Sequence, residues 1–174
     1  MGGKRFVCNL SCQELIKLSA AAPTANEQKM LDAILSIDSL TNHQESLALY
    51  RLCSLLPDGA KILEIGSFNG ASAAAMGYAI KGKSSQIYCI DPWSNYVLQE
   101  DFLSTDYSRI ADDNKIINCF MQNTAFLGNQ IHMMRGFSAD FASMIAGQGF
   151  DFIFIDGAHD YDSVKSDILI CYQH

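Results

Sequence analysis

From Lys61 onward the chain alternates between two hydrophobic patterns. Short apolar runs of strand length occur at Ile62–Ile65, Gln86–Ile90, Ile131–Met134 and Phe150–Ile155. Between them lie segments that read as helix. Ala71–Ile80 is alanine-rich and ends near Lys81-Gly82, and 112–127 carries Ile116, Ile117, Phe120, Met121 and Thr124 on one apolar side. Ser138 is placed to cap a helix through Ala146, and a last helix from about Tyr161 is expected to bury Val164, Ile168 and Tyr172. Strand–helix alternation predicts βαβ units, a parallel sheet and right-handed crossovers.

The N-terminal third reads differently. Ser11-x-x-Glu14, Thr24-x-x-Glu27 and Thr41-x-x-Gln44 each fit a capping box, in which two side chains satisfy orphan backbone donors reciprocally. Pro57-Asp58-Gly59 stops the last of these helices. The expected organisation is a helical cover over 1–56 and a core over 57–174, forming one compact unit; the alternative role for the cover is as a wall of a substrate pocket. Between Pro92 and Ala111 the rhythm breaks, with Trp93, Tyr96, Phe102 and Tyr107 set among polar residues. A loop of this length and aromatic content reads as a lid.

Composition narrows the function classes. A net charge of −7 argues against nonspecific nucleic-acid or anionic-membrane binding. The cysteines (Cys8, Cys12, Cys53, Cys89, Cys119 and Cys171) include no Cys-x-x-Cys and form no zinc pattern with the histidines. Cys53 and Cys89 lie in apolar segments, as buried thiols do, so a reducing cytoplasmic setting is expected. No apolar run is long enough to span a membrane. His43, His132 and His174 read as structural or exposed.

The chemistry concentrates at Lys61–Ser72, where a strand meets a glycine-bearing turn and a helix start. Such a junction lets backbone approach a ligand, with free N–H groups pointing at it. In an open parallel sheet, ligands sit beyond the carboxyl ends of the strands. The residues there are Glu64, Gly66 to Gly70, Asp91, Arg135 to Ser138 and Asp156 to His159. Asp91, ending the second strand, suits a pair of ribose hydroxyls. A dinucleotide fingerprint starting at Gly66 fails, because Phe68 and Ala71 stand where glycines are required. No Gly-Lys-Ser/Thr follows either, so the turn suits a nucleoside without a pyrophosphate.

Several segments together resemble the class I S-adenosylmethionine-dependent methyltransferases, in particular the small-molecule O-methyltransferase branch that includes catechol and macrolide-sugar methylating enzymes. They are Leu63-Glu-Ile-Gly-Ser-Phe-Asn-Gly-Ala-Ser72, Ile90-Asp-Pro-Trp93, Arg135-Gly-Phe-Ser138, and Phe152-Ile-Phe-Ile-Asp-Gly-Ala-His-Asp-Tyr161 with Val164 and Asp167. The resemblance covers roughly residues 44–174. The fold expected is α/β, a Rossmann-like, doubly wound parallel sheet of four recognisable strands in the order 3-2-1-4, with N-terminal helices and the C-terminal strands missing. The resemblance implies O-methylation of a small hydroxylated molecule. It assigns the methionine end of the cofactor to Glu64, Gly66 and Ser72, a pocket wall to Phe68, the ribose to Asp91 and the adenine side to Ser138. Ser67, Gly70, Trp93, Phe137 and Asp156 complete the implied cofactor-binding set. It further implies that Asp156 binds magnesium and that His159 acts as base, these two being the catalytic pair.

One departure from the family lies at the C-terminus, where the chain ends at His174 with no fifth strand. A truncated form is expected, or one whose sheet edge is covered by another chain, such as a second copy in a homo-oligomer. The competing reading from another class is a noncatalytic cofactor-binding or assembly module. A nucleoside-binding oxidoreductase is the third.

Overall fold

A computed structural model describes residues 17, 18, 20–94 and 113–172. The Ser11–Glu14 capping box, Cys8, Cys12, His174 and nearly all of the expected lid lie outside the described residues. Helices α1 (Ala25–Ile34) and α2 (His43–Ser54) precede a β1–α3–β2 unit of Lys61–Ile65, Ala71–Ile80 and Gln86–Asp91. Helix α4 (Asp113–Thr124) and a 3-10 segment (Ala125–Gln130) then lead to β3 (Ile131–Arg135). A second 3-10 turn (Ser138–Phe141), α5 (Ala142–Gln148), β4 (Phe152–Ile155) and α6 (Tyr161–Tyr172) follow.

The four strands form one sheet in the order β3-β2-β1-β4, every pair parallel. This is the parallel sheet that the alternating pattern predicts, in the doubly wound order that the resemblance implies. In-register pairing aligns Glu64 with Cys89 and Phe154, and Asp91 with Arg135. Side-chain alternation divides the core between the two faces of the sheet. Ile62, Ile87 and Cys89 pack with Met76, Ile80 and Phe120 on one face. Leu63, Ile65 and Ile90 pack with Ile145 and Ile170 on the other.

Helix α3 is apolar almost all round, and nine of its ten residues are buried. It is therefore central, lying between the sheet and a second helical layer of α1 and α2, where Met30, Leu31, Ile34 and Leu47 meet Ala74 and Ala75. Its small residues permit close approach. A Cβ at Gly77 would stand 2.7 Å from the Leu127 side chain.

Local chemistry corrects several expectations. Thr24 and Glu27 do form a capping box, but the second box is Asn42 with Glu45, one residue beyond the Thr41–Gln44 reading. Asn42 Oδ1 accepts the N–H of both Gln44 and Glu45, and a serine- or threonine-based pattern misses an asparagine cap. Ser138 opens a 3-10 turn rather than capping a helix, because its hydroxyl is committed to Asp167. Helix α4 stops at Thr124, and the chain kinks at Gly128 (φ 53°) before β3. Met121, Ile168 and Tyr172 are exposed rather than buried. On α6 the buried residue is instead Asp167, whose bond to Ser138 fixes the helix together with the apolar contacts of Ile170 and Cys171.

Glu27, which was read only as a cap residue, also accepts Arg51 Nε at 2.6 Å, tying α1 to α2. The guanidinium holds the Glu27 carboxyl down at about 2.

Candidate functional site

A cleft of about 930 Å3 opens at the carboxyl ends of the strands. Its floor is the turn from Gly66 to Gly70, and its geometry follows from what surrounds that turn. Gly66 has φ 87°, and a Cβ there would lie 2.2 Å from the carbonyl oxygen of Asp156, so only glycine lets the β1 and β4 ends come together. Gly70, at φ 88°, starts α3 without a side-chain cap.

Asp91 organises the turn. Its Oδ2 accepts the backbone N–H of Ser67 at 2.8 Å and of Phe68 at 2.9 Å, while Oδ1 accepts that of Trp93 at 2.6 Å. Phe68 and Trp93 both carry positive φ, 43° and 44°, a conformation non-glycine residues avoid. They are tied to each other as well, since Trp93 Nε1 donates to the Phe68 carbonyl at 2.9 Å. The Trp93 ring is almost wholly buried against Phe120, 4.8 Å between centroids. From outside the turn, Asn123 Nδ2 donates to the Asn69 carbonyl and Asn69 Nδ2 to that of Asp38. Strained backbone that is held from several sides is characteristic of a pre-organised binding site.

Four N–H groups of the turn are engaged within the protein. The N–H of Gly66 goes to Ile90, those of Ser67 and Phe68 to Asp91, and that of Gly70 to Ser67. These four donors are therefore already committed before any ligand arrives. Asp91 also serves the protein first, since three of its roughly four lone-pair positions are already occupied.

Glu64 stands apart from the rest of the predicted set, because it does not line the cleft. It is fully buried beneath the floor, where Oε2 accepts the Ser67 hydroxyl and Oε1 has no partner among the described residues. Burial pushes its carboxyl up to about 7. In this arrangement it supports Ser67 from below. Gly66, Ser67, Phe68, Gly70, Ser72, Asp91, Trp93, Phe137, Ser138, Asp156 and His159 do all line the one cleft.

At the outer end, His159 Nε2 lies 3.5 Å from Asp156 Oδ1, and both side chains are substantially exposed. Burial raises the Asp156 carboxyl; His159 opposes this, and the charge of Glu45 adds to it. Among the described residues no three His, Cys, Asp or Glu side chains gather to hold a metal. A magnesium ion takes near-octahedral oxygen ligands. The described donor set is one carboxylate beside an imidazole, which by itself gives magnesium no support.

The opposite wall comes from the N-terminal helices, expected first as cover and second as a wall of the substrate pocket. Leu40, Glu45, Ala48, Leu49 and Leu52 face the cleft, so α2 is a wall as well as a cover. The signal was present in its apolar spacing, but α2 packs on α3 with one side and lines the cleft with another, and one stripe cannot reveal two neighbours. No Lys or Arg occurs among the described residues lining the cleft, whereas Glu45, Asp91, Asp156, Asp162 and Asp167 do.

Fold and cleft together define a doubly wound α/β domain with a ligand site at its strand ends. A methyltransferase-domain family matches residues 63–174, and the chain belongs to that family. No curated protein matches it in sequence. Similar solved structures include the O-methyltransferase TomG from Streptomyces achromogenes, involved in tomaymycin synthesis and solved with SAM (16% identity, 88% of this chain and 62% of that chain, TM-score 0.56). An O-methyltransferase from Bacillus cereus with SAH is also similar (17% identity, 92% and 66%, TM-score 0.53). So is the SAH-bound Podospora anserina methyltransferase PaMTH1 (16% identity, 97% and 67%, TM-score 0.55). At such identities the likeness is one of fold. The chain spans less than two thirds of the TomG chain.

Proposed function

We propose that the cleft binds S-adenosylmethionine and that the chain contributes the cofactor half, and part of the acceptor half, of a small-molecule O-methyltransferase. One observation carries this reading. The N–H groups of Gly66, Ser67, Phe68 and Gly70 are engaged within the protein, and the cleft is lined by carboxylates with no Lys or Arg among the described residues. That arrangement disfavours a pyrophosphate and favours a nucleoside bearing positive charge. S-adenosylmethionine supplies an electrophilic methyl group on a sulfonium and carries an ammonium besides. The methyltransferase family and the cofactor-bound relatives of the same fold support the same choice.

In this reading the Gly66–Gly70 turn receives the methionine end, with Ser72 at the first turn of α3. Asp91 has about one lone-pair position left for a ribose hydroxyl, and Phe137 and Ser138 flank the base. Asp156 and His159 lie at the acceptor end. His159, held beside a carboxylate, is placed to take the proton of an acceptor hydroxyl. Glu45 and the apolar residues of α2 face it and shape the acceptor space. Most of the acceleration comes from holding two reactants in line. No magnesium takes part in this account. No helix among the described residues is long and apolar enough to cross a membrane. We place the domain in the cytoplasm, acting on a small molecule.

Transfer of a labelled methyl group from S-adenosylmethionine to a panel of small hydroxylated molecules tests the proposal. Transfer by the wild-type chain that His159→Ala reduces by about 100-fold or more supports it. Cofactor binding without transfer to any hydroxyl would favour a noncatalytic binding module.

A further inference from the structure

Ser138 follows β3 and Asp167 lies on α6, beyond β4, and the two meet at the edge of the cleft. The Ser138 hydroxyl donates to Asp167 Oδ1 across 29 residues of chain. Both side chains line the cleft beside Phe137, and Asp167 is 6% exposed. Sequence reasoning gave Ser138 a place by the base and left Asp167 without a role.

The direction of that hydrogen bond has a consequence for any ligand. A serine hydroxyl has one proton and two acceptor lone pairs, while an ionised carboxylate only accepts. With its proton directed at Asp167, Ser138 can present only acceptor character to the cleft. We infer that Asp167 sets the hydrogen-bonding polarity of Ser138, making this end of the cleft selective for a base with an amino group over one with a carbonyl at the same position. The inference rests on the proposed nucleoside cofactor. Asp167 is thereby a positioning residue that acts through Ser138. A carbonyl-bearing base would bring one acceptor against another, and the mismatch has no cure while Asp167 holds the proton.

The alternative is a purely mechanical role, in which Asp167 merely ties α6 to the turn after β3. That role would affect every ligand of the cleft alike. The two are separated by titrating S-adenosylhomocysteine and its 6-oxo analogue, S-inosylhomocysteine, calorimetrically at pH 8 into wild type, Asp167→Asn, Ser138→Ala and the double variant. Wild type should prefer the amino compound by about tenfold or more. In Asp167→Asn the amide can donate to Ser138 and turn the hydroxyl proton toward the base, so the preference should collapse or invert. Ser138→Ala should also reduce the preference, and adding Asp167→Asn to it should change the ratio no further.

An Asp167→Asn protein that binds both ligands with the wild-type ratio overturns the inference and leaves the cofactor reading intact. Should Asp167→Asn fail to fold, a wild-type ratio in Ser138→Ala overturns it instead. Wild-type protein that binds neither compound overturns the cofactor reading, and the inference falls with it.

Discussion

Asp91, at the end of β2, accepts the backbone N–H of Ser67 at 2.8 Å across 24 residues, and so holds the floor of the cleft from the neighbouring strand. The same oxygen takes the N–H of Phe68, and the other oxygen that of Trp93. A residue expected to face a ribose is first of all the clamp that gives the ribose site its shape. Asp91→Ala should therefore destabilise the ligand-free protein, on the order of 3 kcal/mol, because three backbone donors lose their acceptor. Urea unfolding checks this. Unchanged stability in the variant would mean that Asp91 is a ligand contact alone.

Gly66 admits no side chain. Its φ of 87° and the Asp156 carbonyl, 2.2 Å from where a Cβ would be, make Gly66→Ala both strained and overpacked. A loss of more than about 3 kcal/mol is expected. Gly82→Ala serves as the control, since Gly82 also has positive φ (83°) but nothing within 4 Å of an added Cβ. It should cost clearly less in the same unfolding measurement.

Glu64 gives the fold an unusual dependence on pH. Its folded value is raised to about 7 from 4.5 by burial, so the folded state binds the proton more tightly than the unfolded chain does. Its contribution is most favourable at low pH and is lost as pH rises from about 4.5 to about 7, then stays flat. Relative to wild type, Glu64→Gln should gain about 3 kcal/mol of stability between pH 4 and pH 8, whatever fixed cost the amide carries. Parallel stability curves for the two proteins would contradict this. Glu27 acts in the opposite sense: with its value held down at about 2, its contribution is present above 4.5 and lost as pH falls toward 2.

Trp93→Phe separates packing from hydrogen bonding. The phenyl ring keeps apolar contact with Phe120 but no longer donates to the Phe68 carbonyl. A loss of about 1 kcal/mol is expected in unfolding, together with weaker cofactor binding as Phe68 loses a restraint. Wild-type affinity in this variant would show that the bond does not shape the site.

The parallel sheet was legible because β1 to β4 carry apolar runs separated by helical spacing, whereas its order came with the resemblance to the methyltransferases. The glycines of the turn were legible too, since Phe68 and Ala71 ruled out a dinucleotide without any structure. What the chain did not disclose were choices among hydrogen-bond partners. Nothing local tells that the Asp91 carboxylate points back at Ser67, or that Glu64 turns into the core rather than the cleft. Ser138 reads as a helix cap in sequence because Asp167, which takes its proton, lies 29 residues away. The apolar residues of α6 misled for a related reason, since Ile168 and Tyr172 are exposed while the buried anchor is an aspartate.

A carboxylate-lined cleft with no Lys or Arg among its described lining residues should select a cationic nucleoside. Calorimetric titration of the chain with S-adenosylmethionine, S-adenosylhomocysteine and a nicotinamide dinucleotide tests it most directly. The account predicts saturable one-to-one binding of the first two, affinity for the sulfonium compound that weakens with added salt, and no binding of the dinucleotide. Dinucleotide binding as tight as that of S-adenosylmethionine, or no binding of either sulfur nucleoside to the folded chain, would contradict it.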